Sequence, residues 1–105
     1  MAKDNQQIAT DDMQQTIYKE LGYKSYPFPF TTPAYLEAYG TLVGLKPPTA
    51  KTARVLELGA TYGGNIISQA VHNPEATFVG IELSQDQVEK GNKIISDAKL
   101  DNISL

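Results

Sequence analysis

The residues of this sequence that are best placed to do chemistry are two acids and a cluster of glycines. Glu57 stands two residues before Gly59, residues 59–64 read GATYGG, and Glu82 follows about twenty residues further on. A glycine turn between a strand and a helix lets a ligand approach the backbone, and an acid at the end of the next strand can accept hydrogen bonds from both ribose hydroxyls. The spacing therefore predicts a site for an adenosine-type ligand.

The same turn is poorly suited to the phosphates of a nucleotide. A dinucleotide fingerprint needs glycine where Thr61 stands, and a phosphate-binding P-loop needs a Lys-Ser/Thr pair where Asn65 follows Gly64. Glu57 would repel a pyrophosphate and attract a ligand that carries an ammonium and a sulfonium. S-adenosylmethionine carries both charges and a ribose, so the pattern favours it over a dinucleotide.

The apolar pattern predicts the elements that hold this turn. We expect a strand over residues 54–58, buried on both faces, a helix over 65–72, a second strand over 77–82 and a longer helix from Ser84, where Ser84 and Gln87 form a capping box. Residues 102–105 open a third strand. This order predicts an α/β fold, namely the N-terminal half of a Rossmann-like, doubly wound parallel sheet.

Two helices are expected before the sheet. The first covers residues 10–22, and the second begins at Thr32-Pro33, where the threonine hydroxyl caps it, and ends at Gly44. Between them, residues 23–30 (YKSYPFPF) form an extended strap, because two prolines exclude a helix. The strap either packs over the core or forms a lid over a ligand cleft. The chain thus divides into an N-terminal arm and helix (1–22), a strap, helix and linker (23–53), and a partial cofactor-binding domain (54–105).

The segment VLELGATYGGN followed by GIELS resembles motif I and the post-I motif of class I S-adenosylmethionine-dependent methyltransferases. The upstream segment YPFPFTTPAYLEAYGTLVGLKPP resembles the lead-in of bacterial methyltransferases that carry a methyltransferase regulatory domain. The resemblance covers roughly residues 20–105 and matches the family's turn at Gly59, Gly63, Gly64 and Asn65, whereas Ala60 replaces a cysteine.

This resemblance implies roles for individual residues. Glu57 and the backbone of residues 59–63, which includes Gly59, Ala60, Thr61 and Gly63, would contact the methionine part of S-adenosylmethionine. Asn65, which matches the family's turn, would be a further cofactor-binding residue. Glu82 would hold the ribose, and Leu83 would pack on the adenine. The resemblance also implies that acceptor-binding residues would lie after Leu105, so the methyl acceptor is unknown and the chain alone is expected to be inactive.

Composition excludes several other classes of function. There are no cysteines and one histidine, so thiolate zinc sites, multi-histidine metal sites and cysteine nucleophiles are not expected. The net charge is −3, split as six basic and five acidic residues over 1–54 and three and seven over 55–105, which gives no reason to expect nucleic-acid binding. A polar N-terminus and the lack of a long apolar run predict a cytoplasmic protein with no membrane contact.

No catalytic residue can be named from the sequence. His72 sits at the far end of its helix from the glycine turn, and its position near that helix's C-terminus is favourable for the helix dipole. Three functions stay open: the cofactor-binding portion of a methyltransferase, a non-catalytic binding or association module, and an NAD- or FAD-binding Rossmann domain. The open edge of the strand at residues 55–58 would pair with another copy of the chain, be covered by the N-terminal segment or cause aggregation, and of these we expect a two-fold homodimer.

Overall fold

A computed structural model describes residues 24–105 and, before them, Met13. The predicted helix over residues 10–22, Met13 apart, lies outside the described residues. The other predicted elements are observed, within a residue or two at their ends: α1 (Pro33–Leu42), β1 (Arg54–Leu58), α2 (Ile66–His72), β2 (Thr77–Ile81), α3 (Gln85–Asp97) and β3 (Ile103–Ser104), with 3-10 turns at Pro29–Thr31 and Ala50–Thr52. None of the described helices is long and apolar enough to cross a membrane.

The three strands form one parallel sheet in the order β1-β2-β3. The register runs from Arg54 opposite Thr77 to Leu58 opposite Ile81, and β3 continues the sheet beside the start of β2. Because the strands are parallel, the carboxyl ends of β1 and β2 meet at one edge of the sheet. The predicted α/β fold class is confirmed, and the two predicted acids stand at the carboxyl ends of neighbouring strands.

Helices α2 and α3 pack on one face of this sheet. Phe78 of β2 and Ile66 of α2 are fully buried, and Ile95 of α3 belongs to the same apolar cluster. Successive crossovers that run in one direction along a sheet place their helices on the same side. The core of the described chain is therefore a single layer of side chains between two helices and three strands.

The opposite face of the sheet is open, which corrects the expectation that β1 is buried on both faces. The outward side chains of β1 and β2 are 60%, 73%, 40% and 49% exposed at Leu56, Leu58, Val79 and Ile81. The apolar run was read correctly as a strand, but in the described part of the chain neither α2 nor α3 lies on this side. The result is an apolar sheet face without a covering layer of described residues.

Helix ends depart from the predicted caps at two places. The Thr32 hydroxyl donates to the Pro29 carbonyl at 2.8 Å and does not cap α1. Ser84 and Gln87 do not form a capping box, and the Ser84 hydroxyl and Gln87 carbonyl oxygens are buried with no partner among described residues. The reason is local: Glu82 accepts the Ser84 N–H at 3.0 Å and so turns this segment towards the end of β2.

The predicted stop of α1 at Gly44 is confirmed. Gly44 has a φ of +87°, the left-handed conformation that glycine adopts without a steric cost. The Leu45 N–H donates back to the Gly40 carbonyl at 2.9 Å, which closes a Schellman motif.

The outer edge of β1 has backbone groups that are not used in the sheet. Ala53 and Gly59 bond to β2, and since alternate residues of a strand point to opposite edges, the backbone groups of Leu56 and Leu58 point away from β2. No strand of residues 24–105 pairs with that edge. An unpaired edge beside an open apolar face favours association with another chain.

We propose that this edge pairs with a second copy of the chain about a two-fold axis. Sedimentation at micromolar concentration should then give twice the 11.5 kDa mass of one chain. Leu56→Lys should shift the protein to 11.5 kDa, because a lysine on an edge opposes strand pairing. Leu42→Lys, at an 81% exposed position of α1, serves as the control and should leave the mass unchanged. A wild-type monomer with slow amide exchange at residues 56 and 58 would contradict the proposal.

Candidate functional site

The glycine turn between β1 and α2 follows a path that few residues can adopt. Gly59 and Gly63 have φ of +73° and +88°, and Thr61 between them also lies in the left-handed region at +51°. A Cβ built on Gly59 would meet no atom within 4 Å, so the space beside this residue is open. A Cβ on Gly63 would lie 2.6 Å from the Ile67 side chain, so this glycine lets α2 close onto the turn.

The backbone N–H groups of the turn are largely used within the protein. Those of Gly59 and Ala60 both donate to the Ile81 carbonyl, at 2.8 and 3.0 Å. The Gly63 N–H donates to the Ala60 carbonyl at 2.9 Å. These hydrogen bonds fix the shape of the turn, and the space beside Gly59 stays open to a ligand.

Glu82 lies at the predicted place and is held by backbone donors. Its Oε2 accepts the Thr61 N–H at 2.9 Å, and its Oε1 accepts the N–H groups of Leu83 and Ser84 at 2.7 and 3.0 Å. Hydrogen bonds to a charged acceptor are the strong ones in proteins. The carboxylate is thus fixed at the end of β2 beside the turn. Leu83, next to it, is 93% exposed and presents an uncovered apolar side chain.

Glu57 carries a buried oxygen without a partner. Its Oε1 accepts a short hydrogen bond of 2.6 Å from the Asn65 side-chain amide. Its Oε2 is buried, and no described residue donates to it. An unsatisfied buried acceptor costs about 1–3 kcal/mol, and more when it is charged. A cationic or hydrogen-bond-donating ligand would remove that cost, so the chemistry of this carboxylate fits an ammonium group.

Asn65, predicted as a ligand-contacting residue, is placed as a bridge within the protein. Its amide nitrogen donates to Glu57, while its oxygen accepts the Phe28 N–H at 2.7 Å. Gln69, one helical turn further on and buried, donates to the Thr31 hydroxyl at 3.0 Å and to Asn65 at 3.2 Å. The network ties the start of α2 to the strap.

The strap meets the glycine turn through its backbone and Ser25. The Ser25 hydroxyl accepts the Gly64 N–H at 2.7 Å, and the Ser25 N–H donates to the Tyr62 hydroxyl at 3.4 Å. The rings of Tyr26 and Phe28 stay about half-exposed, so the expected packing of strap rings over the core is not observed. The strap therefore flanks the turn, as the lid alternative requires.

Sequence reasoning missed Ser25, Thr31 and Gln69 as members of this site. The signal in the sequence was the glycine at position 64. The structure shows why it is a glycine, since a Cβ there would lie 2.5 Å from the Ser25 carbonyl oxygen. That glycine is needed because another segment approaches it, since its φ is not in the left-handed region. The sequence shows that Gly64 lacks a side chain but does not show which segment fills the space.

A cleft of about 280 Å³ opens between Thr31, α1, β1 and the start of α2. Leu36, Leu56 and Leu58 give it apolar walls, and Glu57 and Gln69 are among its polar residues.

The Nδ1 atom of His72 lies 2.7 Å from the Ser68 carbonyl, at the far end of α2. No group of three His, Cys, Asp or Glu residues within the described part of the chain could hold a metal ion.

Comparison with known proteins places this geometry in a family. A family model described as "Putative methyltransferase" matches residues 51–105. Two uncharacterized proteins of Rickettsia prowazekii, RP789 and RP028, are 42% identical over 86 residues and 41% identical over 88 residues. These matches cover 82% and 84% of this chain, and the chain spans 16% and 35% of the length of those relatives.

A solved structure agrees with the sequence matches. The structure of PKMT2 from Rickettsia typhi in complex with AdoHcy superimposes with a TM-score of 0.74 at 42% sequence identity. The match covers 79% of this chain and 16% of that chain. A second structure of PKMT2 from Rickettsia typhi gives the same values. The fold of residues outside the family match is therefore shared as well.

The Asn65 bridge predicts a specific sensitivity to charge. Asn65→Asp keeps the shape but places a second carboxylate against Glu57, and we expect the free energy of unfolding to fall by about 2 kcal/mol. Adding Glu57→Gln restores a donor across the same contact and should recover at least half of the loss. Denaturant unfolding measures both variants.

The matched control is Asn92→Asp on an exposed face of α3, where the amide contacts only the Leu105 backbone and no acidic side chain, and it should cost less than about 1 kcal/mol. If Asn65→Asp unfolds like the wild type, or if Glu57→Gln makes it worse, the bridge is not a structural contact.

Proposed function

The chain belongs to this methyltransferase family, and from that premise we propose that it forms the S-adenosylmethionine-binding portion of a class I methyltransferase. The relative PKMT2 was solved with AdoHcy, which is S-adenosylmethionine after loss of its methyl group. The chain spans 16% of the length of that protein. We extend the proposal to the whole protein, which would transfer a methyl group to an unidentified acceptor in the cytoplasm.

One observation carries the proposal: among residues 24–105, the buried Glu57 Oε2 has no hydrogen-bond partner, and the glycine turn that follows it is open at Gly59. An ammonium group is the ligand chemistry that satisfies such an oxygen and gains from its charge. Asn65 keeps the other oxygen occupied, so that the carboxylate presents one acceptor to a ligand. S-adenosylmethionine, when bound, supplies the activated methyl group, and this chain's residues orient it.

The second half of the site fits an adenosine. Three backbone N–H groups hold the Glu82 carboxylate in a fixed orientation, so that little is lost in ordering it when ribose hydroxyls donate to it. The exposed Leu83 side chain next to it offers an apolar surface for an adenine ring. Glu57 and Glu82 therefore contact opposite ends of the same ligand.

The same observations count against a dinucleotide. A pyrophosphate over the turn would face Glu57 and would need N–H donors, yet those of Gly59, Ala60 and Gly63 are already bonded within the protein. Thr61 also stands where the dinucleotide fingerprint needs a glycine for close approach. An NAD or FAD site is thus disfavoured by charge and by geometry. A non-catalytic binding module is compatible with the same ligand site, and only an activity measurement separates it.

Ribose recognition by Glu82 is tested by calorimetry with AdoHcy. Glu82→Ala removes charge-assisted hydrogen bonds worth about 1.5–3 kcal/mol, so the affinity should fall at least tenfold. The matched control is Glu89→Ala, on an exposed face of α3, which should leave the affinity unchanged. An unchanged affinity in Glu82→Ala, with the wild type binding AdoHcy, would overturn this role.

A second test addresses catalysis by the chain itself. We predict that the 105-residue chain transfers no labelled methyl group to small acceptors, because a methyltransferase needs an acceptor site in addition to a cofactor site. Scintillation counting after incubation with labelled S-adenosylmethionine measures the transfer, and Glu57→Ala gives the background. Transfer above that background would contradict the prediction.

A further inference from the structure

The carboxylate of an amino-acid ligand would need hydrogen-bond donors, and most N–H groups of the glycine turn are already used within the protein. The N–H groups of Gly59, Ala60 and Gly63 are bonded to backbone carbonyls, and that of Thr61 is bonded to Glu82. The Gly64 N–H is bonded to the Ser25 hydroxyl of the strap. A donor for a ligand carboxylate at this turn therefore has to come largely from a side chain.

Two hydroxyl groups meet at this place. The Thr61 and Ser25 hydroxyl oxygens lie 2.6 Å apart, a short hydrogen bond. The Thr61 hydroxyl has a second acceptor, the Ala60 carbonyl oxygen at 2.7 Å. When Thr61 donates to Ala60, the Ser25 hydroxyl donates to Thr61. A carboxylate is a stronger acceptor than a hydroxyl, so a bound carboxylate would turn the Ser25 hydrogen towards itself, and Ser25 would then accept from both Thr61 and Gly64. Cooperative polarisation through such a chain makes the last hydroxyl a better donor.

The position of this hydroxyl pair is enforced by the backbone. Thr61 is one of two non-glycine residues in the described chain with a left-handed φ, at +51°, which costs roughly 1–2 kcal/mol for a residue with a Cβ. A strained residue persists where its surroundings hold it, and such residues cluster at ligand sites. Here the Thr61 N–H donates to Glu82, the residue proposed to bind the ribose. Glu82 therefore also places the Thr61 side chain beside Ser25.

Positive charge stands close to the same segment. The Lys90 ammonium lies 4.0 Å from the centre of the Tyr62 ring, and the hydroxyl of that ring accepts the Ser25 N–H. This ammonium favours a ligand carboxylate near Ser25 and offsets part of the negative charge of Glu82, which holds the Thr61 N–H.

We propose that Ser25, supported by Thr61 and Gly64, is a ligand-binding residue that donates to the carboxylate of the cofactor's amino-acid part. This inference rests on the proposed function. It makes the strap part of the cofactor site, since Ser25 reaches the turn from a segment 39 residues away in sequence. Glu57 would recognise the ammonium and Ser25 the carboxylate.

The test compares two ligands that differ in the amino-acid part. AdoHcy carries the ammonium and the carboxylate, whereas 5′-methylthioadenosine keeps the adenosine and the sulfur and lacks both. Calorimetry on the full 105-residue chain should show that Ser25→Ala weakens AdoHcy about tenfold and changes the affinity for methylthioadenosine less than twofold. Ser96→Ala, on an exposed face of α3, should change neither affinity.

A second variant displaces Ser25 without changing its side chain. Gly64→Ala places a methyl group against the Ser25 carbonyl, so the strap should leave the turn and the AdoHcy affinity should fall as in Ser25→Ala. Thermal unfolding of each variant confirms that the chain is folded at the temperature of the titration.

The outcomes separate this inference from the proposed function. Equal losses for both ligands in Ser25→Ala would show that Ser25 only seats the strap and would overturn the inference, as would no loss for either ligand. In both cases the wild type still binds AdoHcy, so the proposed function stands. A wild-type chain that binds neither ligand would overturn the proposed function and the inference together.

Discussion

The side-chain amide of Asn65 holds the parts of this site in their relative positions. It donates to Glu57 on β1 and accepts from the Phe28 N–H of the strap, and its own backbone begins α2. An amide has one donor end and one acceptor end, so the two contacts cannot be exchanged without breaking both. The orientation of the Glu57 carboxylate and the seating of the strap are therefore coupled through one buried group. An aspartate or an alanine at this position would lose that coupling.

A second constraint is the apolar pattern of β1 and β2, which have apolar side chains on both faces of the sheet. Leu56 and Val79 are as apolar as the residues on the covered face, yet they are 60% and 40% exposed, because α2 and α3 both pack on the other face of the sheet. The sequence of a strand records the environment for which it is suited, and these two strands are suited to burial on both faces.

The sequence predicted those features of the fold and site that depend on local pattern. The apolar runs and the glycines located the strands, helices α1 to α3 and the turn, and the distance between Glu57 and Glu82 placed two acids at neighbouring strand ends. The predicted capping box at Ser84 was wrong. In such a box the Gln87 side chain would accept the Ser84 N–H, but this N–H donates to Glu82 instead. The contacts of Asn65 with Phe28 and of Ser25 with Gly64 were not predictable, since each joins segments more than thirty residues apart.

The turn combines rigidity and openness in a way that explains why its sequence departs from a dinucleotide fingerprint. A pyrophosphate site leaves its N–H groups unbonded for the ligand, and glycine at the second position lets the phosphates approach. Here Thr61 fills that position, and its N–H is committed to Glu82. The turn is therefore poorly suited to phosphates, but it holds the Glu82 carboxylate in place and carries the Thr61 hydroxyl. Recognition then passes from backbone N–H groups to side chains, which can match a ligand that carries both a positive and a negative charge.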